Sequence, residues 1–288
     1  MTRQMRRWPV FLTALVVLAL VAAAAGLWAG SKGDGFREID RWWDDQRLED
    51  RRGVQNDDEE VIEFDEAEIF FELNATDLDL GIHIFFDAEG WKEVEVKGPD
   101  GAIFEVENNG NLKKIGSTEV FTESAEPQLD EENLEQEIAD FLAMFPEGEY
   151  EFEGETVEGD DLEGTAELTH ALPAAPGLIF PDPAAEENVA DPENTVIEWE
   201  DTSEEGDPEI LRYQVVVEFE EEETEAVFEF IIDVVADPEA WTQSVTVPVE
   251  FFESLEDLDG EYKAEVVAIE AGKNATISEA EFELEEEE

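Results

Sequence analysis

The chain has no cysteine. That excludes disulfides, thiolate nucleophiles and cysteine-ligated zinc, and a location outside the cytoplasm cannot be read from disulfide usage. Histidine is represented only by His83 and His170, far apart in the sequence. Basic residues are the third scarcity: 16 Lys and Arg stand against 81 Asp and Glu, a formal net charge of -65. Beyond Gly53 the only cations are Lys92, Lys97, Lys113, Lys114, Arg212, Lys263 and Lys273. Nucleic-acid affinity comes from cations that neutralise phosphates, and anionic lipid surfaces recruit the same residues. No nucleic-acid partner is expected, and the membrane is engaged only through the N-terminal segment.

What is present is enough to fold. Hydrophobic residues make up 42% of the chain and aromatics 10%, which fills real cores and rules out a disordered acidic tail. Such acidity suits basic protein partners, multivalent cations or a saline medium. Salt relieves self-repulsion by shortening the Debye length to about 3 Å at 1 M, so a halophile-like acidic surface is the main reading. Calcium held by carboxylates is its rival.

The N-terminus carries an address. Arg3, Arg6 and Arg7 precede an uncharged stretch containing Val16-Val17-Leu18-Ala19-Leu20-Val21 and then four alanines. The arginines stay cytoplasmic by the positive-inside rule, which sends the rest of the chain across the membrane. Small residues at Ala23-Ala24-Ala25 suit signal cleavage. The stretch is also about 20 residues, enough to span a bilayer, with Trp8 and Trp28 placed as interfacial anchors. Residues 1–30 are thus a signal peptide or a retained anchor, with the protein in the periplasm or at the cell surface either way. Residues 31–60 read as an acidic, amphipathic stalk.

Beyond it the pattern is mainly β. In residues 61–172, alternating apolar and acidic residues predict strands over Ile69–Leu73, Ile82–Phe86, Trp91–Val96, Ile103–Val106, Tyr150–Thr156 and Leu162–Thr169. Turns are predicted at Asp87-Ala88-Glu89-Gly90, Gly98-Pro99-Asp100-Gly101 and Asn108-Asn109-Gly110-Asn111. One helix, Glu131–Phe145, places Leu134, Ile138, Phe141, Leu142 and Phe145 on one face and stops at Pro146. Pro173, Pro176, Pro181 and Pro183 mark an extended connection. Residues 173–284 then alternate clearly: Ile197 and Trp199; Tyr213, Val215, Val217 and Phe219; Phe228, Phe230, Ile232 and Val234; Val245, Val247 and Val249; Tyr262, Ala264, Val266 and Ala268; Phe282 and Leu284. Residues 285–288 are an acidic tail. The fold class is two antiparallel β-sandwiches, with one helix in the first and one N-terminal hydrophobic helix.

Three stretches could carry chemistry. Asp77 and Asp79, with Asn74 upstream and Gly81 downstream, have the carboxylate spacing of a calcium loop, but the later ligands of an EF-hand are missing and a solvated turn is the simpler reading. His83 and His170 fall within or at the end of strands, where a lone histidine is usually packed or hydrogen-bonded. Glu123–Glu126 surrounds Ser124, with no nucleophile elbow or oxyanion loop beside it, so a surface loop is expected. Trp199 and Tyr213 read as inter-sheet core. Asn74-Ala75-Thr76 and Asn274-Ala275-Thr276 match the N-glycosylation pattern and are taken as chance matches.

Two resemblances add to this. Thr118–Pro127 (TEVFTESAEP), Phe141–Thr156 and Leu162–Pro173 resemble an exported bacterial family of unknown function, in which a β-rich domain precedes a fibronectin-type module; the resemblance implies architecture and supplies no catalytic residues. The Pro173–Pro176 opening, the strand ending in Trp199 and Tyr262-Lys263-Ala264-Glu265-Val266-Val267-Ala268 resemble a fibronectin type III domain, although its usual corner proline is absent. The sequence therefore predicts a non-enzymatic envelope protein that is structural or binds another envelope or extracellular protein. Calcium-dependent adhesion and a carboxylate-based hydrolase of envelope polysaccharide are the alternatives. The carboxylates are expected to form a water-facing coat, gathered into no machinery.

Overall fold

The computed structural model describes residues 61–288 apart from 222–223, 235–242, 256–259 and 286–288. The predicted export segment and stalk lie outside the described residues.

The first half contains β1 (Val61–Glu63), β2 (Glu66–Asn74), β3 (Asp79–Gly98), β4 (Gly101–Glu107), β5 (Ser117–Glu123), β6 (Gly148–Thr156) and β7 (Asp161–Leu168). Its organising element is β3, 20 residues long. The first part of β3 pairs with β2 and β5, the second part with β4 and β6. The turn predicted at Asp87–Gly90 does not form. Ala88 is buried there, and the register with β5 shifts between Asp87 and Trp91, so these residues bend one strand between two sheets instead of ending it. The glycine that suggested a turn serves a close crossing: a Cβ on Gly116 would lie 2.6 Å from the Gly90 backbone.

A one-turn helix, α1 (Leu112–Ile115), and strand β5 were not read from the sequence. The predicted helix forms as a 3-10 turn at Glu131–Asn133 running into α2 (Leu134–Leu142). Asp130 caps it, its side chain accepting from Glu132 N–H at 3.0 Å while Glu137 accepts from Asp130 N–H at 2.6 Å. The apolar face of α2, together with Phe145, packs on a core built from Phe71, Phe86, Trp91, Tyr150 and Phe152.

The second half contains β8 (Gly177–Phe180), β9 (Val189–Ala190), β10 (Val196–Glu200), β11 (Ile210–Glu221), β12 (Thr224–Asp233), β13 (Ser244–Thr246), α3 (Val249–Glu253), β14 (Glu261–Glu270) and β15 (Ala275–Leu284). A three-stranded sheet, β13-β10-β8, shares a core with the four strands β15-β14-β11-β12, which is the fibronectin-like arrangement. Trp199 and Tyr213 meet in that core with ring centroids 5.4 Å apart. Val249 departs from the predicted strand: it follows Pro248, opens α3, and leaves β13 short. β15 begins at Ala275, well before the apolar alternation at Phe282 and Leu284.

The two halves are joined by main-chain pairing. Ala275, Thr276 and Ile277 of β15 lie parallel to Glu72, Leu73 and Asn74 of β2. One sheet therefore runs β1-β7-β6-β3-β2-β15-β14-β11-β12. Both Asn-Ala-Thr segments clamp this joint. Asn274, fully buried, accepts from Phe71 N–H at 2.8 Å and donates to Thr169 O at 3.1 Å. Asn74 donates to Glu279 Oε2 at 3.1 Å, and Thr76 Oγ1 accepts from Glu279 N–H at 3.0 Å.

Candidate functional site: a buried acidic seam

Residues paired across strands share a face. On the sheet running from β5 through β3, β2, β15 and β14 to β11, one face supplies the two cores. The other carries Glu123, His83, Asp79, Glu72, Glu279, Lys263, Glu265 and Glu218, interspersed with Phe70, Phe85, Val216, Val267 and Ile277. These apolar residues are all buried, and so are Glu72, His83, Glu218 and Glu265. The expected water-facing coat is thus incorrect here: carboxylates gather where the halves join. The physical reason is that strands covered on both faces bury whatever side chain falls in them, acid or not.

Burial raises the carboxyls because it penalises their charged forms. Glu72 is held well above the usual carboxylate range by burial, then by Glu126, Glu265, Glu123 and Asp79. Burial, with Asp77, Glu279 and Glu123, raises Asp79 to about 6 despite Lys263. Glu279 rises to about 7 through burial, although Lys263 pulls it down. Burial raises both Glu123 and Glu126, and Glu126 is pushed further, to about 8, by Glu123 and Asp79 beside it. Burial pulls the Lys263 ammonium down, but Glu265, Glu279 and Glu218 outweigh that and hold it charged. Lys263 Nζ lies 3.3 Å from Glu279 Oε2 and 3.6 Å from Glu218 Oε2.

At one end of the seam, ligand atoms of Glu72, His83 and Glu126 all lie within 4.8 Å of one another. His83 is stacked on Phe70, centroids 5.1 Å apart, and burial lowers it to about 4, so its imidazole is neutral. Both ring nitrogens and both Glu72 oxygens are buried without a hydrogen-bond partner among the described residues. His83 Nε2 and Glu72 Oε1 are 3.8 Å apart, too far for a hydrogen bond. Opposite Glu72 in the register is Gly81, where an added Cβ would lie 3.0 Å from Glu126. That glycine is what admits the Glu126 carboxyl over β3.

The predicted candidates are distributed differently. Asp77 sits in the exposed β2–β3 turn, where Asn74 Oδ1 accepts from Thr76 and Asp77 N–H at 3.0 Å each and Gln128 bonds the Asp77 carbonyl. Asp79 lies on the rim of the seam, and neither aspartate belongs to the Glu72–His83–Glu126 group. His170 is hydrogen-bonded, Nε2 to Phe145 O at 2.8 Å. Ser124 is pinned by backbone: Oγ accepts from Ile82 N–H at 3.1 Å. Sequence reading missed Glu72, Glu218, Glu265 and Glu279, and it took Glu123 and Glu126, which belong to the seam, for a surface loop.

A second acidic region faces solvent. The registers align Glu105, Glu95, Glu153, Glu163 and Glu63 in one row across β4, β3, β6, β7 and β1, and Glu107, Glu93, Glu155 and Asp161 in the next. Lys97 bridges Glu95 and Glu153, Lys92 meets Glu155, and Lys113 meets Glu107. A groove of about 410 Å³ runs over these rows, lined by acids with Val94, Gly154 and Leu162, and by no aromatic residue.

No protein-family model matches the chain, and no curated protein matches it. Solved structures resemble it distantly. One concerns host cell surface retention of a 1.5-MDa bacterial ice-binding adhesin (13% identity, TM-score 0.23, 77% of this chain and 65% of that one). Another is a tetra-tandem repeat in the extending region of a large adhesion protein (14%, TM-score 0.22, 75% and 48%). A third comprises domains A168–A170 of titin (13%, TM-score 0.21, 80% and 63%). The chain spans between about half and two thirds of the length of these structures. TM-scores this low carry no argument, and the functional reading rests on the residues.

Proposed function

We propose that this chain is a non-catalytic extracytoplasmic protein, structural or protein-binding, whose two sandwiches act as one stiff unit presenting an acidic face to a basic partner. The joint between β2 and β15 carries this reading, because shared main-chain pairing and the two Asn-Ala-Thr clamps leave no free hinge between the halves. The export segment supplies the location. The acidic rows supply a field that attracts cationic protein surfaces and suits a saline medium. A polysaccharide hydrolase would present desolvated paired carboxylates beside exposed aromatics in a cleft. The groove over the rows has no aromatic lining, and the desolvated carboxyls lie in the seam.

The test is capture from an envelope extract by the immobilised full chain at low salt and at about 1 M NaCl, where the Debye length is about 3 Å. Capture at low salt that Glu95→Lys, Glu153→Lys and Glu163→Lys together abolish is expected. A chain that stays monomeric and captures nothing at either salt overturns the binding form of the proposal. A second reading, adhesion that depends on a bound cation, is favoured by the convergence of carboxylates where the halves meet.

A further inference from the structure

We propose that Glu72, His83 and Glu126 bind one divalent first-row transition-metal ion of zinc-like preference at the end of the seam. The inference deepens the cation-dependent reading but does not need it, since the site stands on its own geometry. Ligand atoms from two carboxylates and one imidazole already lie within 4.8 Å of one another. Zinc with ligands at about 2.1 Å sets tetrahedral neighbours about 3.4 Å apart, so a contraction of at most about 1.4 Å brings these three ligands to that spacing and leaves a fourth position open.

Three observations point to an ion in preference to a merely packed cluster. Glu72 and His83 are almost fully buried, and their oxygens and nitrogens have no partner among the described residues, a costly arrangement unless something binds them. A dication binding here displaces the carboxyl protons, and its two charges match the two carboxylates so formed beside a neutral imidazole, leaving no net buried charge. Glu126 is positioned over Gly81, which lets its carboxyl come within 4.8 Å of the Glu72 and His83 ligand atoms. The imidazole decides the class of ion. Calcium and magnesium take oxygen ligands, whereas imidazole with carboxylate suits zinc and its neighbours.

The experiment is calorimetric titration of the EDTA-stripped full chain with ZnCl2 in about 1 M NaCl, which screens loose association with surface carboxylates, alongside cobalt absorption spectroscopy. One ion per chain is expected, with a cobalt spectrum showing nitrogen coordination. His83→Phe and Glu126→Gln should each weaken binding by more than the ~10–100-fold that losing an outer-shell partner costs. Metal-free His83→Phe should melt no lower than the parent, since it removes two unpartnered nitrogens; if it fails to fold, Glu126→Gln decides alone. No salt-resistant ion, an ion retained by both variants, or calcium bound in preference to zinc overturns the assignment. Zinc bound with partner capture indifferent to EDTA leaves the site standing and sinks the cation-dependent reading instead.

Discussion

Glu153 and Glu265 are both glutamates in antiparallel strands, and both contact a lysine, Lys97 and Lys263 respectively. Their side chains are 50% and 2% exposed. Around Glu153, water screens the like charges in its row, and the lysine contact is worth little. Around Glu265 there is no such screening, so one lysine is set against several desolvated carboxyls, and whatever it fails to neutralise must be protonated or coordinated. The same residue type therefore provides a solvated field in one place and a titratable core in another. Composition cannot tell them apart; burial does.

The largest way to break this contrast is Lys263→Met. Removing one partner of a buried ionic group is expected to cost about 3–5 kcal/mol, read by denaturant unfolding. Asn274→Ala leaves the Phe71 N–H unsatisfied at the joint and should cost about 1–3 kcal/mol. The acidity of the seam predicts an unusual pH profile. Folded Asp79 and Glu279 titrate at about 6 and about 7, above the unfolded values, so their stabilisation is full below roughly pH 4 and is lost as pH rises through 6 and 7. Melting temperature should therefore fall from about pH 5 to pH 8 in metal-free protein, and the fall should persist in about 1 M NaCl, where repulsion along the outer rows is screened. The smallest effect belongs to those rows. Glu163→Lys, set between Glu153 and Glu63, should add about 0.2–1 kcal/mol at low salt and nothing at high salt.

Much of the fold was legible because its exposed faces keep a strict alternation: Tyr150 and Phe152 in β6, and Ile197 and Trp199 in β10, separate core from solvent residue by residue. The seam was not legible by that rule. Ile69-Phe70-Phe71, Ile84-Phe85-Phe86, Val215-Val216-Val217 and Val266-Val267-Ala268 are unbroken apolar runs, the mark of strands buried on both faces. Treated as half-buried strands, they conceal that Glu72, Glu218 and Glu265, next to these runs, also lie inside. Glu126 was singled out beside Ser124 yet read as surface loop, because the Gly81 that seats it lies far away in sequence. The Asp87–Gly90 turn failed for a related reason, a glycine serving a backbone crossing.

The central claim is that the seam carboxyls are shielded from water while those of the outer rows are not. It is tested most directly by following side-chain carboxyl carbons of the metal-free chain by NMR across pH in about 1 M NaCl. The account predicts that Asp79 and Glu279 are still titrating at about pH 6 and about pH 7. Completion of both titrations by about pH 5, near the range of free carboxyls, would contradict it.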